Sequence, residues 1–230
     1  MNLIKTTTLK LIRTNWVFVM VVLPVLYGLL LYWYLDRYDN LEQIFFSYAL
    51  YYNCLLPFGI ALMISLYTQY EEQIGHFNHL LQFPRRDQWI INMLTFSWLS
   101  VGISTLITCV PLWLLIGNSY NVYILYYFLF TTLFSLPIIM ILWFVTLKIN
   151  MGLCLGTGAI LSLFLVTFGA NSLGDGIWPY IPLLYGTRYL SERGTSNELF
   201  IFSMFLLCTC FLLAFIMYWF KRWEGRIINE

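Results

Sequence analysis

The nine residues from Glu71 to His79 hold the densest set of groups able to do chemistry: Glu71, Glu72, His76 and His79. Carboxylates and imidazoles are the side chains of general acid–base work and of metal-assisted hydrolysis. His76 and His79 are the two histidines of the chain. The five cysteines, Cys54, Cys109, Cys154, Cys208 and Cys210, all fall in apolar runs. No CxxC pair or Cys/His cluster joins them, so they read as small hydrophobes rather than disulfide or metal partners. No Asp, Glu, Lys, Arg or His lies in the middle of any long apolar run. Proton pumps and ion-coupled transporters need ionisable groups at membrane depth. An intramembrane hydrolase needs a base, a nucleophile or ligands there. Chemistry inside a membrane and coupling to an ion gradient are therefore disfavoured. The energy for any transport would come from outside the chain.

The elements that must position these groups follow from composition. Of 230 residues, 60% are hydrophobic, 10% are charged and the formal net charge is +1. A soluble domain is roughly 45–50% apolar and about 25% charged. Mean hydropathy is +0.76. The reading is one all-α polytopic membrane domain over residues 1–230. The near-neutral charge speaks against a nucleic-acid partner, which needs a basic face. A bilayer core about 30 Å thick takes roughly 20 apolar residues per helix. Six runs meet this: 16–35, 44–66, 89–115, 122–147, 153–170 and 199–220. They lack the alternation of barrel strands. The first run is too long for a signal-peptide core and no small-residue cleavage site follows it, so it reads as a retained helix. Pro24, Pro57, Pro111 and Pro137 fall inside the runs. Each removes a backbone donor and can kink its helix. They are ordinary membrane-helix prolines or the makers of a cavity or hinge, and both readings stay open.

Lys and Arg set the orientation. With the N-terminus inside, the inner segments hold nine, Lys5, Lys10, Arg13, Arg85, Arg86, Lys148, Lys221, Arg222 and Arg226, against three outside, Arg37, Arg188 and Arg193. Both termini are expected to face the cytoplasm.

The segment between runs two and three is then cytoplasmic. Tyr70, Ile74, Phe77 and Leu81 recur at i, i+4, i+7 and i+11, with Leu80 at the edge, which predicts a short amphipathic helix. Glu72, Gly75, His79 and Gln82 fall on its other face. Glu71 and Glu72 are expected in its first turn, where they suit the helix dipole. Pro84 ends it, and Arg85 and Arg86 follow at the membrane surface. A helix adsorbed on anionic lipid would carry Lys and Arg on its polar face. This face is Glu, His, Asn and Gln, which suits docking to another protein.

The order Glu71-Glu72, Gly75, Leu80-Leu81, Pro84-Arg85-Arg86 resembles the coupling helix of type-2 ABC exporter permeases. In that family an acidic residue and a glycine precede a Leu pair. Pro, a small residue and Arg follow, and then the next span starts. Arg85 stands where the family often has Ser or Thr. The resemblance covers the whole chain as architecture and about twenty residues as motif. It implies an ATPase-coupling set of Glu71, Glu72, Gly75, Phe77, Leu81, Pro84, Arg85 and Arg86. It also implies an interfacial helix over residues 1–15, in which Lys5, Lys10 and Arg13 can snorkel. A re-entrant outer segment between helices five and six is implied as well, and the apolar stretch Ile177–Tyr185 suits it. The chain has no GxxxxGK[ST] loop. It would therefore be a transport subunit without its own nucleotide site. ATP and Mg would sit on a partner ATPase dimer, and a second permease, like or unlike, would complete the assembly.

Small size and short loops make the chain look like the permeases of lantibiotic (bacteriocin) immunity transporters in the plasma membrane of Gram-positive bacteria. Such a protein would expel an antimicrobial peptide from the bilayer. The alternative within the family is an exporter of drugs, lipids or other small amphiphiles. Two remoter readings are a non-transport sensor partner of an ATPase and an intramembrane protease. Glu71-Glu72 resembles the first motif of the CAAX-type proteases, but those have Arg where His76 stands and need further histidines in later spans.

Overall fold

The computed structural model describes residues 15–16, 18–35, 37, 40–75, 77, 86–192 and 198–225. The interfacial helix expected before Asn15 lies outside them, as do His76, His79, Leu80, Leu81, Pro84 and Arg85.

Six helical stretches are long and apolar enough to cross a membrane: Phe18–Leu35, Leu41–Gln73, Arg86–Ile116, Asn121–Lys148, Met151–Gly169 and Glu198–Lys221. The chain is thus an all-α, multi-pass membrane protein. In order the helices are α1 (Leu23–Leu35), α2 (Leu41–Gly75), α3 (Arg86–Ile116), α4 (Asn121–Phe134), α5 (Leu136–Lys148), α6 (Met151–Phe164), α7 (Tyr185–Arg188) and α8 (Glu198–Lys221). Spans two, three and four form the middle of the bundle. In the most apolar window of span two 61% of residues are buried, against 17% in span six. The peripheral spans one, five and six therefore carry the broad apolar faces that lipid or another chain must cover.

Three of the four mid-span prolines leave local signatures. A π-helical turn, Phe18–Val22, runs directly into Leu23-Pro24 at the start of α1. Such bulges absorb the backbone misfit that a proline imposes. Pro57 sits inside α2, and the neighbouring Phe58 N–H donates to Ser162 Oγ of α6 at 3.3 Å. The run expected as one helix over 122–147 breaks at Ser135, two residues before Pro137, into α4 and α5. The Asn150 side chain caps α6 by accepting from Leu153 N at 2.7 Å.

Helix packing depends on small residues at close crossings, as in other membrane bundles. A Cβ on Gly158 of α6 would lie 2.4 Å from Ala61 Cβ and 3.1 Å from the Pro57 carbonyl of α2. A Cβ on Gly28 of α1 would lie 2.7 Å from Pro111 Cγ of α3. Buried hydroxyls and indoles then pin the middle of the bundle. Tyr48 donates to the Thr108 carbonyl at 2.8 Å, Tyr52 pairs with Ser104 at 2.8 Å, and Trp143 Nε1 donates to Ser97 Oγ at 2.9 Å. Such bonds average about 0.6 kcal/mol each in a bilayer. They select a rotation of each helix more than they hold the bundle together.

Between spans five and six, short turns at Ser172–Gly174, Trp178–Tyr180 and Pro182–Leu184 lead into α7. This segment packs against α2, α4 and α8, with Trp178, Leu184, Tyr185 and Tyr189 buried.

Two of the three glycines of α6, Gly156 and Gly158, provide a matched test. Gly158→Leu should overpack the crossing with α2, at about 1–3 kcal/mol, and lower the detergent-solubilised melting temperature by several degrees. Gly156→Leu meets nothing within 4 Å and should leave it unchanged or raise it slightly.

Candidate functional site

The described residues singled out between spans two and three converge at one end of the bundle, and the rest of the expected amphipathic helix lies outside the described residues. Helix α2 does not stop near Leu66. It runs 35 residues to Gly75 and carries Glu71 and Glu72 in its own last turns. The expected first-turn placement of these carboxylates is thus reversed. They lie at a helix C-terminus, where the dipole disfavours negative charge. The expected apolar stripe through Phe77 is also broken. Phe77 has φ +61, the left-handed region, so no α-helix passes through it. The chain turns there because the ring is paid back in burial: Phe77 is 3% exposed.

Glu71 points inward and is 4% exposed. Tyr67, one helical turn earlier, donates its hydroxyl to Glu71 Oε1 at 2.8 Å. A hydrogen bond of this kind offsets part of the cost of burying a carboxylate. Glu72 is half-buried.

A chain of aromatic contacts runs through this corner. Phe77 meets Trp223 edge-on at 5.6 Å. Trp223 stacks on Phe220 at 5.4 Å, and Phe220 stacks on Trp89 at 5.5 Å. Trp89 meets Trp143 edge-on at 5.9 Å, and Trp143 meets Tyr67 at 5.9 Å. The series starts just beyond α2, crosses the end of α8, the start of α3 and the middle of α5, and returns to α2 beside Glu71. Arg86, the first residue of α3, donates from Nη1 to the Trp223 carbonyl at 2.8 Å. The segment between α2 and α3 is therefore tied at both described points, Phe77 and Arg86, to the same residue past the end of α8.

Of the expected coupling set, the structure brings together Glu71, Phe77 and Arg86. Glu72 and Gly75 adjoin them in sequence on α2, whereas Leu81, Pro84 and Arg85 lie outside the described residues. Tyr67, Trp89, Trp143, Phe220 and Trp223 were not singled out by their spacing.

Arg188, counted among the outer cations of the expected re-entrant segment, is 8% exposed. Its Nη1 lies 2.6 Å from Asp175 Oδ1 and 3.4 Å from Glu192 Oε1. Its Nη2 donates to the carbonyls of Phe168 and Asn171, at the end of span five. A cation there complements the helix C-terminal dipole. A Cβ on Gly174 would lie 1.8 Å from the Phe168 oxygen, so only glycine admits this close return of the chain.

Among the described residues no three His, Cys, Asp or Glu side chains gather as a metal would require. The cysteines are free thiols, with Cys54, Cys109 and Cys154 buried. Comparison with protein families, characterised proteins and solved structures finds no match to this chain.

Two outcomes test these sites. In a double-mutant cycle of Phe77→Ala and Trp223→Ala, thermal unfolding in detergent should show a coupling of about 0.5–1.5 kcal/mol, the worth of an aromatic pair. Arg188→Lys keeps the charge but loses the fork that serves carboxylate and carbonyls at once. Amide exchange at Asp175 and Ile177, whose N–H groups close turns of this segment, should quicken severalfold while exchange in α2 stays unchanged.

Proposed function

We propose that this protein is the membrane-spanning permease subunit of an ATP-driven exporter of the type-2 ABC class. The observation that carries the reading is the ordered set Glu71-Glu72, Gly75, Leu80-Leu81, Pro84-Arg85-Arg86 between spans two and three of a six-span chain. The excess of Lys and Arg on the same side supports a cytoplasmic placement for this segment and both termini.

The described geometry is compatible with mechanical coupling. A partner ATPase pressing on the segment between α2 and α3 would load Phe77 and Arg86. Both contact Trp223, so the load would pass to the end of α8 and, through Phe220 and Trp89, to α3. Two such bundles moving against each other would alternate access for a substrate. Transport requires that the substrate bind the two arrangements with different free energy. The substrate class we favour is a membrane-inserted cationic antimicrobial peptide, expelled from the plasma membrane of a Gram-positive cell as self-immunity. The partners would be an ATPase dimer carrying ATP and Mg, and a second permease subunit.

Affinity purification in mild detergent from the native host should recover a Walker-type ATPase whose turnover rises with a cationic lantibiotic. Glu72→Lys and Arg86→Ala should each lower ATPase recovery at least tenfold while the permease still runs as a monodisperse species. Retention of both ATPase association and peptide resistance in these variants would sink the coupling role.

A further inference from the structure

A cavity of about 340 Å³ lies between span one and α2, with Ser104 of α3 in its wall. It belongs to neither site described above. Leu26 and Leu30 of α1 and Leu55 and Phe58 of α2 line it and are also among the exposed large apolar side chains, so it opens on the lipid-facing side. No charged side chain lines it. The hydroxyls in its wall belong to Tyr27, Tyr52 and Ser104. Tyr52 and Ser104 bond to each other at 2.8 Å and ask nothing of a ligand. The Tyr27 hydroxyl has no partner among the described residues and is itself enclosed, so it offers nothing to a ligand. A buried donor without an acceptor costs free energy.

Gly59 keeps this space open. It lines the cavity from α2, and a Cβ built on it meets no atom within 4 Å. Packing against a neighbour therefore does not require glycine here, as it does at Gly158. Glycine is also the poorest helix former after proline. What its missing side chain leaves is volume.

We propose that this cavity binds one acyl chain of a membrane lipid. Its size lies at the low end of the roughly 300–1,000 Å³ of small-molecule sites, enough for a single chain and too small for a whole lipid. The medium at its mouth in a bilayer is hydrocarbon, so a chain enters without crossing water. A cationic peptide is disfavoured because the wall offers no carboxylate. The inference does not depend on the exporter reading.

The test uses the full chain in phosphatidylglycerol nanodiscs doped with phosphatidylglycerol that carries an acyl-chain diazirine. After photolysis, mass spectrometry should find Leu26, Leu55 and Phe58 labelled at least fivefold more than Leu206 and Leu207 of α8, although those two are more exposed. Gly59→Phe fills the cavity and should abolish the excess. Gly156→Phe adds the same ring on α6, away from the cavity and in open space, and should preserve it. Labelling no heavier than on α8, or labelling indifferent to Gly59→Phe, would overturn the assignment. Displacement of the label by an excess of a cationic lantibiotic would also overturn it and give the cavity to the peptide.

Discussion

A backbone N–H or C=O without a partner costs several kcal/mol in hydrocarbon, and most local features of this fold answer that penalty. The six spans are helical because a helix closes its bonds within one segment. Where proline removes a donor the repair is local: a π-helical turn ahead of Pro24, a serine from α6 at Phe58, and a break into two helices before Pro137. Threonines bond back to carbonyls three or four residues earlier, as Thr105 and Thr146 do. The hydroxyls of these two threonines thus stay satisfied without water. Even Arg188 spends part of its guanidinium on the carbonyls that span five leaves open at its end.

With the backbone satisfied, helices in lipid lose most of the hydrophobic drive to associate, because hydrocarbon covers an apolar face as well as a neighbour does. Close crossings and ring contacts must choose the arrangement. The glycines at 28 and 158 let backbones approach where any side chain would collide. At the Glu71 end the choice falls to aromatic rings. Their contacts form a chain through four helices. The opposite end is held differently, by one buried cation with two carboxylates and two carbonyls. One end is held by apolar ring contacts, and the other by charge.

Among the described residues, the buried charged side chains Glu71 and Arg188 show why position along the chain says little about environment. Glu71 and Arg188 both lie at span ends, where a carboxylate and a guanidinium ordinarily meet water. Each is turned inward and compensated, Glu71 by the Tyr67 hydroxyl and Arg188 by Asp175 and Glu192. For Glu71 the dipole argument pointed the wrong way, because α2 continues three turns beyond its apolar core. Continuous helix outlasted the hydrophobic signal, and periodicity alone could not separate an extension of α2 from a new helix.

Hydrophobic length and charge scarcity are sums over neighbouring residues, so they were legible without any fold. They determined six spans, their approximate bounds and the absence of charge at mid-membrane. The order of Glu71, Gly75, Pro84 and Arg86 was legible for the same reason. Which residues meet is a different kind of property. That Phe77 adopts a left-handed turn, that Trp223 receives both Phe77 and Arg86, that Arg188 is buried, and that Gly59 leaves a cavity all depend on how each helix is rotated and crossed. Apolar faces in lipid are nearly equivalent before packing, so the composition of one helix does not say which face its neighbour will cover. Only close fit and paired polar atoms break that equivalence, and they exist only once the helices are assembled.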